Sequence, residues 1–321
     1  MQFTRIPDSY APLGGPLIYA FDGDRSDFDV RITDPAQQTA YGAKRFAAAT
    51  EAVFDIAPYL RRALRFTPLT SESGVHDGSG RMLRVVVAVT DRTTRQTITA
   101  PVRVVLPSVA QPGGPALLTA MPRTRLIAAG ESDELTFVTY APLQLTVSAD
   151  YGPHTTTETH SIPADGLHLF RLNTADFPRA DRITVEAGSC GTVVYSVMQP
   201  VQEAVRLAWR SRAGSIEHYT FPIEVAAGFE ADRHCACGPD GSVSRSAVIS
   251  YRTLRSALER REVLEPLAEL IATPEVWIVE GARYMPVEVA TDRAVVHRYG
   301  ALRYLEIVIR PKKCLAQPWN C

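Results

Sequence analysis

Arg84-Val85-Val86-Val87-Ala88-Val89-Thr90, then Asp91-Arg92-Thr93-Thr94-Arg95, then Val102-Arg103-Val104-Val105-Leu106: two β-branched runs flank a short polar tip. β-Branched side chains lose χ1 freedom in a helix but pack well on a pleated surface, so both runs are expected as strands joined around 91–95. The pattern recurs upstream. Pro16-Leu17-Ile18-Tyr19-Ala20-Phe21 is a strand stopped by the acidic turn Asp22-Gly23-Asp24. Phe28-Asp29-Val30-Arg31-Ile32 alternates strictly, placing Phe28, Val30 and Ile32 on one face. Lys44 to Phe54 supplies a third strand or strand pair, and 56–64 a helical turn in which Pro58 comes early enough to be tolerated.

Working outward, Pro107 to Pro115, with Gln111-Pro112-Gly113-Gly114, is a linker. It separates an N-terminal β-sandwich-like domain over 1–108 from a second one over 116–200. Strands of the second include Glu134 to Tyr140, Leu143 to Val147, Ile183 to Ala187 and Thr192 to Val197. Strand-sized pieces at this spacing point to a sandwich of immunoglobulin or fibronectin type, although no cysteine pair brackets a tryptophan. The third segment, 201–321, opens with Val205 to Arg210, a turn over Ser211 to Ser215, and Ile216 to Phe221. Val263, Leu264, Leu267, Leu270 and Ile271 recur at helical spacing and predict a helix near 262–272, with Pro266 in its first turn or marking its start. The expected fold class is mainly β: tandem β-sandwich domains, then a C-terminal β-rich α+β domain carrying one short helix.

Length and composition bound the function. The chain has 321 residues, 45% hydrophobic and 21% charged, which is ordinary globular composition for two or three domains. The formal charge is -1, giving no global attraction to nucleic acid or anionic membrane. Lys44, Lys312 and Lys313 are the only lysines among 34 basic residues, and the arginines form no block. The N-terminus has no basic region followed by an apolar stretch, so no signal peptide is expected, and no apolar run is long enough to span a membrane.

Several groupings carry possible chemistry. On a strand, His154, Thr156, Glu158 and His160 would share a face, and two imidazoles with a carboxylate suit a transition metal. No fourth ligand can be named, so a solvated strand face is the plainer reading. His234-Cys235-Ala236-Cys237 offers thiolates, with Cys314 or Cys321 as remote partners, but the spacing departs from a zinc knuckle. Asp22 to Asp27 fails as a calcium loop, because Asp27 stands where glycine is needed and Thr33 where a bidentate glutamate is needed. Gly188-Ser189-Cys190-Gly191 lacks the nucleophile-elbow order. No catalytic or cofactor-binding residue is therefore expected. Trp209 and Trp277 fall in strands as core anchors, while Trp319, in the tail Leu315 to Cys321, is a candidate for docking onto a neighbour.

The hairpin Leu207-Ala208-Trp209-Arg210 to Ile216-Glu217-His218-Tyr219-Thr220-Phe221 resembles one in tail proteins of Bacteroidetes phages and prophages. The order that follows also resembles that family: the helix ending Leu267-Ala268-Glu269-Leu270-Ile271, Thr273-Pro274, the strand at Trp277, Pro286-Val287, and a last strand through Ile309. The resemblance covers about 110 residues of the third segment and includes no catalytic motif. It implies a virion structural role as a tail, distal-tail or baseplate subunit. The implied subunit is a homo-oligomer, assembled in the host cytoplasm with other tail proteins. Two other classes stay open on the residues alone: a cell-surface adhesin or carbohydrate-binding module, and a metal-dependent hydrolase using the His154/Glu158/His160 face.

Overall fold

The computed structural model describes residues 1–37, 39–110, 112–235, 243–312 and 318–319, with backbone alone for 232–235, 243–247 and 318–319. The protein is mainly β and built from several sheets, with one short helix. In the N-terminal stretch the strands are β1 (Gln2–Arg5), β2 (Tyr10–Pro12), β3 (Ile18–Thr33) and β4 (Ala40–Asp55). A single helical turn α1 (Ala57–Leu60) follows, then β5 (Gly74–Asp77), β6 (Leu83–Asp91), β7 (Thr97–Thr99) and β8 (Arg103–Leu106). The sheet runs β1-β3-β6-β8-β2, with β4 on β3 and β7 on β6. Phe28, Val30 and Ile32 are all buried, as their alternation requires. The polar tip closes on itself, because the Asp91 carboxylate accepts the N–H groups of Thr93 and Thr94 at 2.7 and 3.1 Å. Here β6 meets short β7 across the tip and β8 at its other end.

The middle stretch holds β9 (Ala116–Leu118), β10 (Thr124–Ala128), β11 (Ser132–Thr139) and β12 (Leu143–Asp150), then β13 (Thr155–Ile162), β14 (Gly166–Asn173), β15 (Arg182–Glu186) and β16 (Thr192–Met198). They form a sandwich of a five-stranded sheet, β10-β16-β15-β12-β13, on a four-stranded one, β5-β14-β11-β9. Leu135, Phe137 and Phe170 of one sheet meet Leu145, Val147, Ile183 and Val193 of the other in one core. The fourth strand of the smaller sheet is β5, contributed from before the expected boundary at 108. Its Val75 pairs with Phe170.

The C-terminal stretch holds β17 (Val205–Arg210), β18 (Ile216–Phe221), β19 (Ile223–Cys235) and β20 (Val243–Arg255). Then come α2 (Arg261–Ala268), β21 (Val276–Glu280), β22 (Arg283–Val289), β23 (Val296–Tyr299), β24 (Leu302–Pro311) and β25 (Pro318–Trp319). One sheet runs β18-β17-β21-β22-β24-β20-β19, with β23 on β24 and β25 on β20. Leu264 and Leu267 of α2 join Trp209, Phe221 and Leu305 in its core. Pro266 lies inside α2, past the first turn where the sequence reading placed it. The helix starts at Arg261, one residue before the expected 262, and Pro266 is buried at its sixth position, where it removes one backbone hydrogen bond.

The three stretches are not separate beads. Ala208, Ile216, Trp277 and Val279 of the C-terminal sheet complete the N-terminal core. The linker is clasped as well. Val109 N–H donates to Arg212 O at 3.0 Å, and a Cβ on Gly14 would lie 2.4 Å from Val109 Cα. Gly214, at φ +92°, approaches so closely that a Cβ would sit 2.8 Å from Ser108 N. Gly214→Ala is therefore expected to cost about 1–3 kcal/mol through backbone strain and displacement of the linker. Gly113→Ala, where an added Cβ meets nothing, is the control and should change the urea midpoint little.

Candidate interdomain groove and its ionic floor

β11 is buried along its whole length, and it begins with two adjacent carboxylates. Consecutive strand residues face opposite ways, so Asp133 and Glu134 serve different neighbours. Asp133 accepts from Arg125 Nη1 of β10 at 2.9 Å and from Tyr195 Oη of β16 at 2.8 Å. Nδ1 of His218, on β18, lies 2.9 Å from the other carboxylate oxygen in a geometry poorly aligned for a hydrogen bond, so this is a contact of ion-pair type once the ring is protonated. Glu134 pairs with Arg81 of the N-terminal stretch, one bond being 2.8 Å. Beside them Arg206 donates to Ser132 O at 2.7 Å and to Glu131 at 2.9 Å, and Arg125 lies 3.5 Å from Glu217. Glu217 itself accepts from Thr119 Oγ1, Ala120 N and Ser215 Oγ.

Charges buried this deeply hold only when fully paired. Burial alone would raise the Asp133 carboxyl, but Arg125, His218 and Arg206 outweigh it and hold the group well below the usual carboxylate range. Burial, reinforced by Asp133, raises the Tyr195 phenol well above its ordinary value, so it remains a donor.

Above this floor opens a groove between β10 and the C-terminal stretch, with a cavity of about 270 Å³. Its rim is apolar, formed by Leu126, Met198, Val201 and Val263; its polar wall carries Glu131 and Glu259. Glu259 accepts from Tyr219 Oη at 2.9 Å, and no cation pairs with it among the described residues. Burial raises its carboxyl pKa against that bond. β10 is the terminal strand of its sheet, so its outer edge is open along the groove.

The residues singled out in the sequence lie elsewhere. Glu158 and His160 are neighbours on β13, an edge strand, with 3.9 Å between Oε2 and Nε2. His154 precedes the strand and stacks on Tyr151 at 4.8 Å, so the expected three-residue face is not assembled. The reason is that the strand begins only at Thr155. Among the described residues no cluster of three or more His, Cys, Asp or Glu side chains could hold a metal. Cys235 ends β19, while Cys237, Cys314 and Cys321 lie outside the described residues. Cys190 is buried in a single 3-10 turn, and burial raises its thiol pKa. The backbone of Trp319 pairs with Ser246 of its own β20. No helix among the described residues is long and apolar enough to cross a membrane.

The ionic floor escaped the sequence reading. Its only signal is Ser132-Asp133-Glu134 opening an otherwise apolar strand, a pattern that resembles a solvated strand end.

No family model matches the chain, and no curated protein matches it. Solved structures match it only at low TM-score, two of them being the following. One is Dpr2 Ig1-Ig2 in complex with DIP-Theta Ig1-Ig3, at 13% identity over 62% of this chain and 99% of that one, TM-score 0.18. The other concerns host cell surface retention of a 1.5-MDa bacterial ice-binding adhesin, at 10% identity over 78% of this chain and 88% of that one, TM-score 0.16. Overlap so slight leaves the architecture to be argued from the chain's own sheets.

Asp133→Ala removes the carboxylate nearest buried Arg125, leaving it only the more distant Glu217, and leaves the Tyr195 hydroxyl without its acceptor; the expected cost is about 3–5 kcal/mol in urea unfolding. The pH dependence has a definite sign. Because the folded pKa is depressed, the Asp133 contribution is complete above the unfolded carboxylate value of about 3.9 and is lost as pH falls through the folded value. Asp133→Asn should therefore lower the midpoint at neutral pH and flatten the acid side of the stability profile. An unchanged acid slope would remove Asp133 from this role.

Proposed function

We propose that the chain is a structural assembly subunit of a phage or prophage tail, of distal-tail or baseplate type, and that it acts through sheet edges instead of catalysis. The observation that carries this reading is the contrast between its two long edge strands. β4 has 16 residues and, among the described residues, pairs only with β3. Its edge is blunted, with exposed Lys44 and Arg45 in the middle and a bulge at Ala48, whose φ is +49°. Lysines and bulges are the ordinary defences of an exposed edge.

β19 has 13 residues and is the last strand of the C-terminal sheet; its register against β20 shifts at Val225 and again before Cys235, but it has no lysine and its apolar side chains face outward over 223–229. Ile223, Val225 and Phe229 are exposed, Phe229 at 79%. Glu224 and Glu230, its only charges before residue 232, are turned to Arg252 and Arg310 of its own sheet. A long apolar edge invites pairing with another chain, and a subunit built for assembly uses it so. The resemblance of residues 205–309 to phage tail proteins supplies the setting, with other tail proteins as partners and assembly in the host cytoplasm.

Phe229→Lys is the test. The side chain is exposed, so stability should shift by no more than about 0.5 kcal/mol. Incorporation into purified particles, read by mass spectrometry and electron microscopy, should fall sharply. Absence of the wild-type chain from such particles would sink the tail reading. Normal incorporation of the variant would sink the role of the β19 edge.

A further inference from the structure

The groove beside β10 and the β23–β24 hairpin are chemically complementary, and they adjoin in space where Glu259 meets Arg303. Among the described residues β23 pairs only with β24, and all four of its residues are exposed. The hairpin presents Val295, Val296, Leu302 and Tyr299, the last at 74% exposure. Residues 290–305 contain Arg293, Arg298 and Arg303 against one acid, Asp292. Among the described residues none of these arginines forms an ion pair; the Arg298 guanidinium reaches only Gly300 O, at 2.9 Å.

The groove offers the converse surface. Its rim is apolar, and Leu126 on the open edge strand is 64% exposed. Its wall holds the half-buried Glu259 carboxylate, bonded to Tyr219 but to no cation among the described residues. A half-buried carboxylate that lacks a cation favours a ligand that brings one. An open strand edge beside an apolar cavity takes an extended segment by strand addition, with side chains of that segment in the cavity.

We infer that the groove receives the β23–β24 hairpin of a second copy of this chain. β23 adds to the outer edge of β10, Tyr299 or Val296 enters the cavity, and an arginine of the hairpin meets Glu259. The placement favours a reciprocal exchange. Arg303, at the start of β24, exchanges backbone hydrogen bonds of 2.7 and 2.9 Å with Glu259 itself. Hairpin and groove therefore share one face, and a twofold axis between two copies can satisfy both at once. This deepens the assembly reading by naming one partner. It rests on that reading only for self-association, and a solution measurement tests it apart from any virion.

The experiment is multi-angle light scattering on the full chain. The wild type is expected at twice the chain mass. Leu126→Glu spoils only the groove, and Tyr299→Glu only the hairpin; both positions are exposed, so unchanged thermal melting confirms folding. Each variant should weaken dimerisation by at least about tenfold, the effect of losing a central contact. Mixed in equal amounts, the two variants should form a heterodimer, because one intact groove then faces one intact hairpin. A wild type that stays monomeric at high concentration overturns the inference. So do variants that still dimerise, or a mixture that behaves as its parts. Dimerisation can fail while the chain is still found in particles, and the reverse can also occur, so the two proposals fall separately.

Discussion

Everything in this molecule turns on the first three residues of β11. Ser132 offers its carbonyl to Arg206, Asp133 faces Arg125, Tyr195 and His218, and Glu134 faces Arg81. A strand sends successive side chains to opposite sides, so one short run ties the sandwich to both other stretches at once. The cost is also set there. Two neighbouring carboxylates enter a strand with no solvent on either face, which is tolerable only if every one of them meets a cation and further donors. The arginines that meet them come from residues 81, 125 and 206, one from each side and one from the sandwich itself. The ionic contacts and the domain arrangement therefore depend on each other.

The apolar contacts follow the same plan. The N-terminal core is finished by Trp277 and Val279 of β21, and Leu106 packs with Val138 of β11. Ion pairs are directional where apolar packing is not, so the buried network selects one arrangement among the many that similar apolar faces would allow. Gly14 and Gly214 add a steric condition, because the linker passes where no side chain fits. Packing that is tied together in this way holds the outer sheet edges at fixed positions relative to one another.

Much of the fold was legible in the sequence because β-branched runs and strict alternation depend on local chemistry. The strands around 84–106, 205–221 and 276–309 and the helix after Arg261 are of this sort. What was not legible was membership. Nothing local in Gly74-Val75-His76-Asp77 says that it will pair with Phe170, and a proline- and glycine-rich stretch resembles a tether even when both its flanks are clasped. The ionic floor was hidden for a related reason. Asp133, Glu134, Glu217 and His218 have the composition of exposed strand ends, and only distant arginines make their burial possible. The His154 face failed on a single residue, since alternation holds only inside a strand and β13 begins one position later.

The surface can be argued from the same logic of edges. A β protein of several sheets must end each sheet somewhere, and every end leaves backbone donors and acceptors without partners. Here the ends are treated unequally. Both β4 and β19 are bulged, but β4 exposes Lys44 and Arg45 while β19 exposes apolar side chains and turns its glutamates toward arginines of its own sheet. β10 lies beside a cavity whose Glu259 carboxylate meets no cation among the described residues, and β23 is an exposed strand flanked in sequence by Arg293 and Arg303. If these differences only protected a monomer, all four edges would carry the same defences. Unequal edges on a rigid body instead give each one a different partner chemistry. That inequality is the feature on which the proposed assembly role rests, since a sheet protein that only avoids aggregation needs no such differences.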